Sequence, residues 1–194
     1  MGAVEMGDRA ARARVRAVTV RVRERYVLAR FGKTSRDQLR AAASPELGET
    51  LASAGDHWVD FKQFIEATEL ACRLFHDGDI TRARDIGAYG AENAMGVWQR
   101  LVYRVISPNT VLSIAAGIWN HHYEGGRLVA KPEGTRGVRL RIEDFPTPHR
   151  AHCLSIEGWT RRTIEIGRPK SVAVVERLCR CRGHDACEYV ADWE

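Results

Sequence analysis

The sequence predicts an α+β domain, with N-terminal helices packed on a small antiparallel sheet of about four strands. Three observations carry this. Apolar residues recur at helical spacing through most of the chain before Arg127. From Arg127 the period changes to two, in RLVAKP and GVRLRIEDF, which reads as a β-hairpin joined through Glu133–Arg136. One further helix and a second strand pair follow. Helices, hairpin, helix, hairpin is the order of an α+β chain rather than of alternating βα units.

The length of 194 residues suits one domain with a real core, and 44% hydrophobic with 28% charged residues is ordinary globular composition. No apolar run reaches the length of a membrane span, and the Arg-rich start lacks the apolar core of a secretory signal. The expected location is cytoplasmic, where cysteines stay reduced. Residues 1–31 read as an Arg-rich N-terminal helix and candidate dimerisation element, and residues 32–194 as the domain proper.

Residues 9–40 hold ten Arg and one Lys against Glu24 and Asp37, a local balance of +9 in a chain of net +5. Arg9, Arg16, Arg23 and Arg30 recur every seven residues, which predicts a basic stripe on one helix face flanked by Val15, Val20, Val27 and Phe31. Such a stripe is ordinarily a solvated face. No recognition element for nucleic acid accompanies it.

Gly32 closes this helix and Ser35–Ala43 forms a second. Ser44-Pro45 opens another, with Ser as N-cap and Pro at the first helical position. The run from Trp58 to Phe75 has a wide apolar face that includes Cys72, read as core. Asp77 and Asp79 around Gly78 are turn and capping chemistry, since the later ligands of a calcium loop are missing. A Gly-rich helix then runs from about Ile80 to Val105. Its small residues at 87, 90, 91 and 94 suit close approach of another element or space for a ligand. Val111–Tyr123 is the most apolar helix and ends in Trp119, His121, His122 and Tyr123. Adjacent histidines point about 100° apart on a helix and make a poor bidentate pair. Val138, Leu140 and Ile142 form the buried face of the hairpin that follows.

The stretch from His149 to Trp193 contains four of the five cysteines. Cys153 lies on a helix, and Glu176, Cys179, Cys181 and Cys187 lie on the closing hairpin. Several thiolates with a carboxylate suit a tetrahedral, borderline-soft cation, zinc first, in a closed structural site. Strand side chains alternate, so Glu176 and Cys179 face opposite sides unless a bulge or strand end intervenes. Cys181 and His184 are therefore alternative ligands.

The ending VERLCRCRGHDACEYV resembles the signature of the V4R (4-vinyl reductase) domain. The spacing of Cys153, Glu176, Cys179 and Cys187 is similar to the zinc site of aromatic-sensing V4R domains. The specific match covers about the last 45 residues. The resemblance implies those four residues as zinc ligands, with Cys181 an extra. It also implies a fold related to the haem-NO-binding and TRAPP Bet3 proteins, which enclose small molecules or lipid chains and often form homodimers.

The chain carries no Gly-rich phosphate loop, nucleophile elbow or HExxH motif, so no enzymatic activity is expected. The expected function is a zinc-stabilised, small-molecule-binding sensor or regulatory domain with an apolar pocket for an aromatic or acyl ligand. Trp98, Trp119 and Tyr123 are its expected walls, and His121 or His122 its polar contact. The alternatives are a dimerising adaptor without ligand, or a tetrapyrrole-related reductase or accessory protein.

Overall fold

The computed structural model describes residues 13–94, 115–167 and 170–194. The chain opens on β1 (Arg14–Arg16) and α1 (Ala17–Ala41), followed by α2 (Pro45–Ala52), β2 (Trp58–Asp60), α3 (Phe61–Phe75) and α4 (Ala83–Ala94). After the undescribed residues 95–114 come α5 (Ala115–His122), β3 (Tyr123–Glu124), the hairpin β4 (Arg127–Pro132) and β5 (Gly137–Glu143), and α6 (Arg150–Ile166). The hairpin of β6 (Val172–Leu178) and β7 (Cys187–Trp193) closes the chain. This is the expected α+β architecture.

The main sheet has the order β4-β5-β7-β6, antiparallel throughout. Val138, Leu140 and Ile142 of β5 are buried, as their alternation predicts, while Arg139 faces solvent. A smaller sheet, β2-β1-β3, was not expected. Its strands are two or three residues long, below the length at which alternation is readable. It matters because it ties the N-terminus to the end of α5, pairing Val15 with Val59 on one side and Tyr123 on the other.

The local signals of the first half hold. Gly32 interrupts α1 at φ 85°, a conformation glycine adopts without cost. The Ser44 hydroxyl accepts the Leu47 N–H at the head of α2, with Pro45 at the first helical position. Asp60 and Asp79 cap α3 and the short 3₁₀ turn before α4. The periodic arginine face does not survive. Residues 14–16 are strand, so Arg16 lies over the Trp58 ring, 4.3 Å from its centroid. Arg23 is buried, Arg30 is exposed, and Arg9 falls outside the described residues. Val15, Val20 and Val27 are fully buried in the core of this same chain, which leaves Leu28 and Phe31 as the exposed large apolar residues of α1.

The two halves meet where α4 crosses α6. A Cβ on Gly87 would lie 2.0 Å from the Ser155 carbonyl oxygen, and one on Gly158 would lie 2.0 Å from the Arg84 carbonyl oxygen. Each glycine thus accepts the backbone of the other helix, and Arg84 pairs with Glu157 at 2.7 Å beside the crossing. Of the two readings of the small residues at 87 and 90, close approach is the one realised. Gly87 is filled by α6, and Val22 lies 3.4 Å from where a Gly90 Cβ would sit.

Gly158→Ala is expected to cost about 1–3 kcal/mol or more, because backbone rather than a flexible side chain must move. Gly48→Ala, in a helix where the new methyl meets nothing within 4 Å, is expected to stabilise by about 0.4–1 kcal/mol. Urea unfolding of the two variants checks the contrast. Equal effects would show that the α4–α6 contact is not this close.

Candidate functional site

The cysteine cluster forms where α6 meets the closing hairpin. Cys153 and His152 are adjacent on α6 and therefore point about 100° apart, Cys153 toward the sheet and His152 toward the N-terminal helices. Cys153 Sγ lies 3.8 Å from Cys187 Sγ, 3.8 Å from Cys179 Sγ and 4.0 Å from Cys181 Sγ. Cys153, Cys179 and Cys187 are buried, and their sulfurs lie within 4.8 Å of one another; Cys181 is exposed. The Tyr189 hydroxyl donates to the Cys153 carbonyl at 3.0 Å and locks β7 against α6 at this point.

The alternation problem is resolved by a break in register. Glu176 pairs with Tyr189 and Leu178 with Glu188, so Arg177 is an extra residue on β6. Cys179 follows the strand as the N-cap of a 3₁₀ turn. The result is that one Arg150 guanidinium nitrogen reaches both Glu176 Oε2, at 2.5 Å, and Cys179 Sγ, at 3.8 Å. Arg182 adds a second pairing to Glu176 at 3.2 Å. The carboxylate is thus held by two arginines, and its other oxygen, Oε1, is buried with no partner among the described residues. His184 does not join the sulfurs; its Nδ1 faces the backbone of Cys179.

The thiols share protons unevenly. The hydrogen bond to Cys187, together with burial, pushes the Cys153 thiol far up. The same bond, with the Arg180 N–H 3.4 Å from the sulfur, lowers Cys187 to about 6. Of the two, Cys187 is the one whose proton is held less tightly. Among the described residues no histidine nitrogen hydrogen-bonds a cysteine sulfur, so the cluster lacks a thiol–imidazole catalytic pair.

A second constellation lies on the other face of α6. His152 is 3% exposed and enclosed by aromatic rings. Its ring centroid lies 5.0 Å from Phe61, 5.4 Å from Phe64, 5.9 Å from Trp119, 5.3 Å from Tyr123 and 5.1 Å from Phe145. Trp119 stacks on Tyr123 at 4.3 Å. Burial, then Arg23, then His149 drive the His152 imidazole down to about 3, so it is neutral. Its Nε2 and the indole Nε1 of Trp119 are both buried without a partner among the described residues.

Of the expected pocket residues, Trp119 and Tyr123 are thus brought together, and Trp98 lies outside the described residues. His121 is exposed, while half-buried His122 meets the Thr19 hydroxyl at 3.3 Å. Two surface clefts of about 620 and 780 Å³ lie elsewhere, the first by Glu46, Thr50 and Trp58, the second by Ile65, Leu70 and His149. Neither is lined by the expected pocket residues. His152, Phe145 and Arg23 escaped the sequence reading as members of this group. The available signal was a histidine beside Cys153 on an amphipathic helix, which says nothing of what the opposite face meets.

No family model matches the chain, and no curated protein matches it. Solved structures do. An H-NOX protein from S. oneidensis in the Fe(II)NO state superimposes with a TM-score of 0.69 at 14% identity, covering 92% of this chain and 98% of that one. An unliganded Fe(II) H-NOX mutant from K. algicida gives 0.68 at 10% identity, covering 92% and 96%. A structure described as probing haem distortion in the H-NOX family gives 0.68 at 10%, covering 92% and 94%. The zinc expectation is corrected by these comparisons, whose members are described by iron and haem, and by Glu176, the expected fourth ligand, being engaged by Arg150 and Arg182. Haem does not fit the described residues either, because the buried imidazole with an unpartnered nitrogen, His152, is packed on by five aromatic side chains. At this level of identity the likeness establishes the fold: the chain has the H-NOX fold.

Proposed function

We propose that this chain is a small-molecule-binding sensor domain, not an enzyme. The observation that carries the reading is the fold itself, shared over 92% of the chain with a protein described in an NO-bound state and over 91% with one described in a CO-bound state. The aromatic group around His152 supports it. In this reading the group is the ligand-facing part of the interior, and the cysteine cluster with its arginine-held carboxylate is the rigid wall on the far side of α6. Trp119 and Tyr123 keep the role expected of them, and His152 replaces His121 and His122 as the polar contact. A neutral imidazole both accepts and donates, which suits it to orient a ligand in an apolar site.

A dimerising adaptor is the second reading. It is favoured by Leu28, Phe31 and Leu74, which are about 40% exposed on α1 and α3. Sedimentation of the wild type against a Leu28→Glu, Phe31→Glu double variant tests it; a monomer at tens of micromolar in both would remove this reading.

Two outcomes follow from the sensor reading. A thermal-shift screen of small apolar and aromatic compounds should find saturable stabilisers. At about 100 times its Kd a ligand adds about 2.7 kcal/mol, a rise of about 5–10 °C in Tm for a chain of this size. A screen without any saturable shift, with native mass spectrometry showing no co-purified small molecule, would remove the reading.

The second outcome is a pH signature of His152. Its folded pKa of about 3 lies below the ordinary 6.5, so the unfolded chain takes up a proton that the folded chain refuses. The stability this contributes is complete above pH 6.5 and declines as the pH falls toward 3, by about 1.4 kcal/mol per unit. His152→Gln should lose this part of the slope between pH 6 and 4.5, measured as the difference between the two urea-unfolding profiles. Parallel profiles would show that the imidazole is not held neutral.

A further inference from the structure

The positive charge of residues 9–40 outlives the loss of its regular spacing, and the fold concentrates what is unpaired toward the far end of α1. Arg14 pairs with Glu124, Arg36 with Asp37 and Arg40 with Glu24. Arg16 lies over Trp58, and Arg23 is buried. Arg25, Arg30 and Lys33 are exposed and have no carboxylate partner among the described residues. Arg73, near the end of α3, is a fourth such cation. Of the acidic residues about that end, Asp79 and Asp85 pair with Arg82, and Glu69 with His149. That leaves Asp77 alone against four cations.

The same place carries three of the four large hydrophobic side chains that are exposed among the described residues. They are Leu28 at 40%, Phe31 at 38% and Leu74 at 41%. Arg25 and Leu28 are three residues apart and share the outer face of α1. Gly32, at φ 85°, breaks the helix directly after Phe31, so Phe31 and Lys33 flank a corner. The Phe31 ring is stacked on Phe75 at 5.3 Å and stands edge-on to His76 at 5.3 Å. Tyr26 Oη and His76 Nε2, 2.9 Å apart, tie the two helices together here. The apolar tip is therefore held out by packing and cannot fold back onto the core.

We propose that this corner is a docking surface for the anionic face of a phospholipid membrane, independently of any ligand in the interior. Charge and area choose this occupant. A second copy docked about a two-fold axis would set Arg25, Arg30 and Lys33 against the same cations, and like charges across an interface oppose it. Three side chains about 40% exposed offer on the order of 200 Å² of apolar surface. A stable protein interface covers about 800 Å² per partner, more than half of it apolar. A lipid surface needs only a few apolar tips, provided that the cations around them meet anionic headgroups. No described helix is long and apolar enough to cross a membrane, so the contact is peripheral. Leu28, Phe31 and Leu74 enter the boundary between headgroups and acyl chains. Arg25, Arg30, Lys33 and Arg73 pair with the lipid phosphates and carboxylates.

The test is co-sedimentation of the full chain with vesicles of phosphatidylcholine alone and with vesicles of equal parts phosphatidylcholine and phosphatidylserine. The anionic vesicles should bind about tenfold or more tightly, and about 0.5 M salt should remove most of that difference. Arg25→Glu with Lys33→Glu should reduce binding to the level of the neutral vesicles. Leu28→Ser with Leu74→Ser, which leaves the Phe31 stack intact, should weaken binding to anionic vesicles about fivefold. All four positions are exposed, so both variants should unfold in urea as the wild type does. Equal binding to the two kinds of vesicle, or undiminished binding in either variant, would overturn the proposal. Polyglutamate bound as tightly as anionic vesicles would give the cations to an acidic polypeptide and overturn it too. A dimer that the Leu28→Ser, Leu74→Ser variant loses would do the same, by giving the patch to a second copy.

Discussion

The close crossing of α4 and α6 is the contact on which the other features depend. With Gly87 against the Ser155 carbonyl and Gly158 against the Arg84 carbonyl, the two helices approach to backbone contact. That fixes the rotation of α6 about its own axis. Once it is set, Cys153 must face the closing hairpin and His152 and Ser155 must face α1 and α3. A helix held by larger side chains would stand further off and could rotate, and neither constellation would be held in place. Packing of this kind is close to all-or-none, because backbone atoms cannot be moved aside as a flexible side chain can.

Two kinds of polar burial sit on the opposite faces of that helix, and they differ in how completely they are satisfied. On the hairpin side Glu176 has Arg150 and Arg182, although its Oε1 has no partner among the described residues, and the Cys187 sulfur has a thiol and a backbone N–H. Charge there is largely balanced. On the helical side a guanidinium, an indole N–H and an imidazole nitrogen are enclosed by aromatic rings with no anion among the described residues. Balanced burial makes a rigid wall; unbalanced burial leaves a desolvation cost unmet.

The likeness to H-NOX structures fixes the architecture and leaves the chemistry of the interior to this chain's own residues. The cysteine motif resembles that of the V4R domain, and the haem-NO-binding relationship which that resemblance implied is the part that agrees with the observed fold. The zinc it also implied is not what the structures sharing the fold are described by. Five aromatic side chains pack on the neutral imidazole of His152.

What the sequence determined by itself is the part governed by short-range physics. Capping by Ser44 and Asp60, the break at Gly32, the alternation of Val138, Leu140 and Ile142, and the gathering of cysteines near the C-terminus all depend on residues a few positions apart. Even the condition under which Glu176 and Cys179 could share a side, a bulge between them, was legible, though not whether it occurs. Tertiary structure decided the rest. The heptad spacing of the arginines carries no information on whether residues 14–16 pair with β2 and β3, since a strand of three residues is stabilised by its partners rather than by its own pattern. Nor does it distinguish Arg23, drawn over Phe64 by an approaching helix, from Arg30 in water. Whether a glycine leaves a space or admits a backbone depends on the element opposite it, and that element, α6, begins more than sixty residues after Gly87.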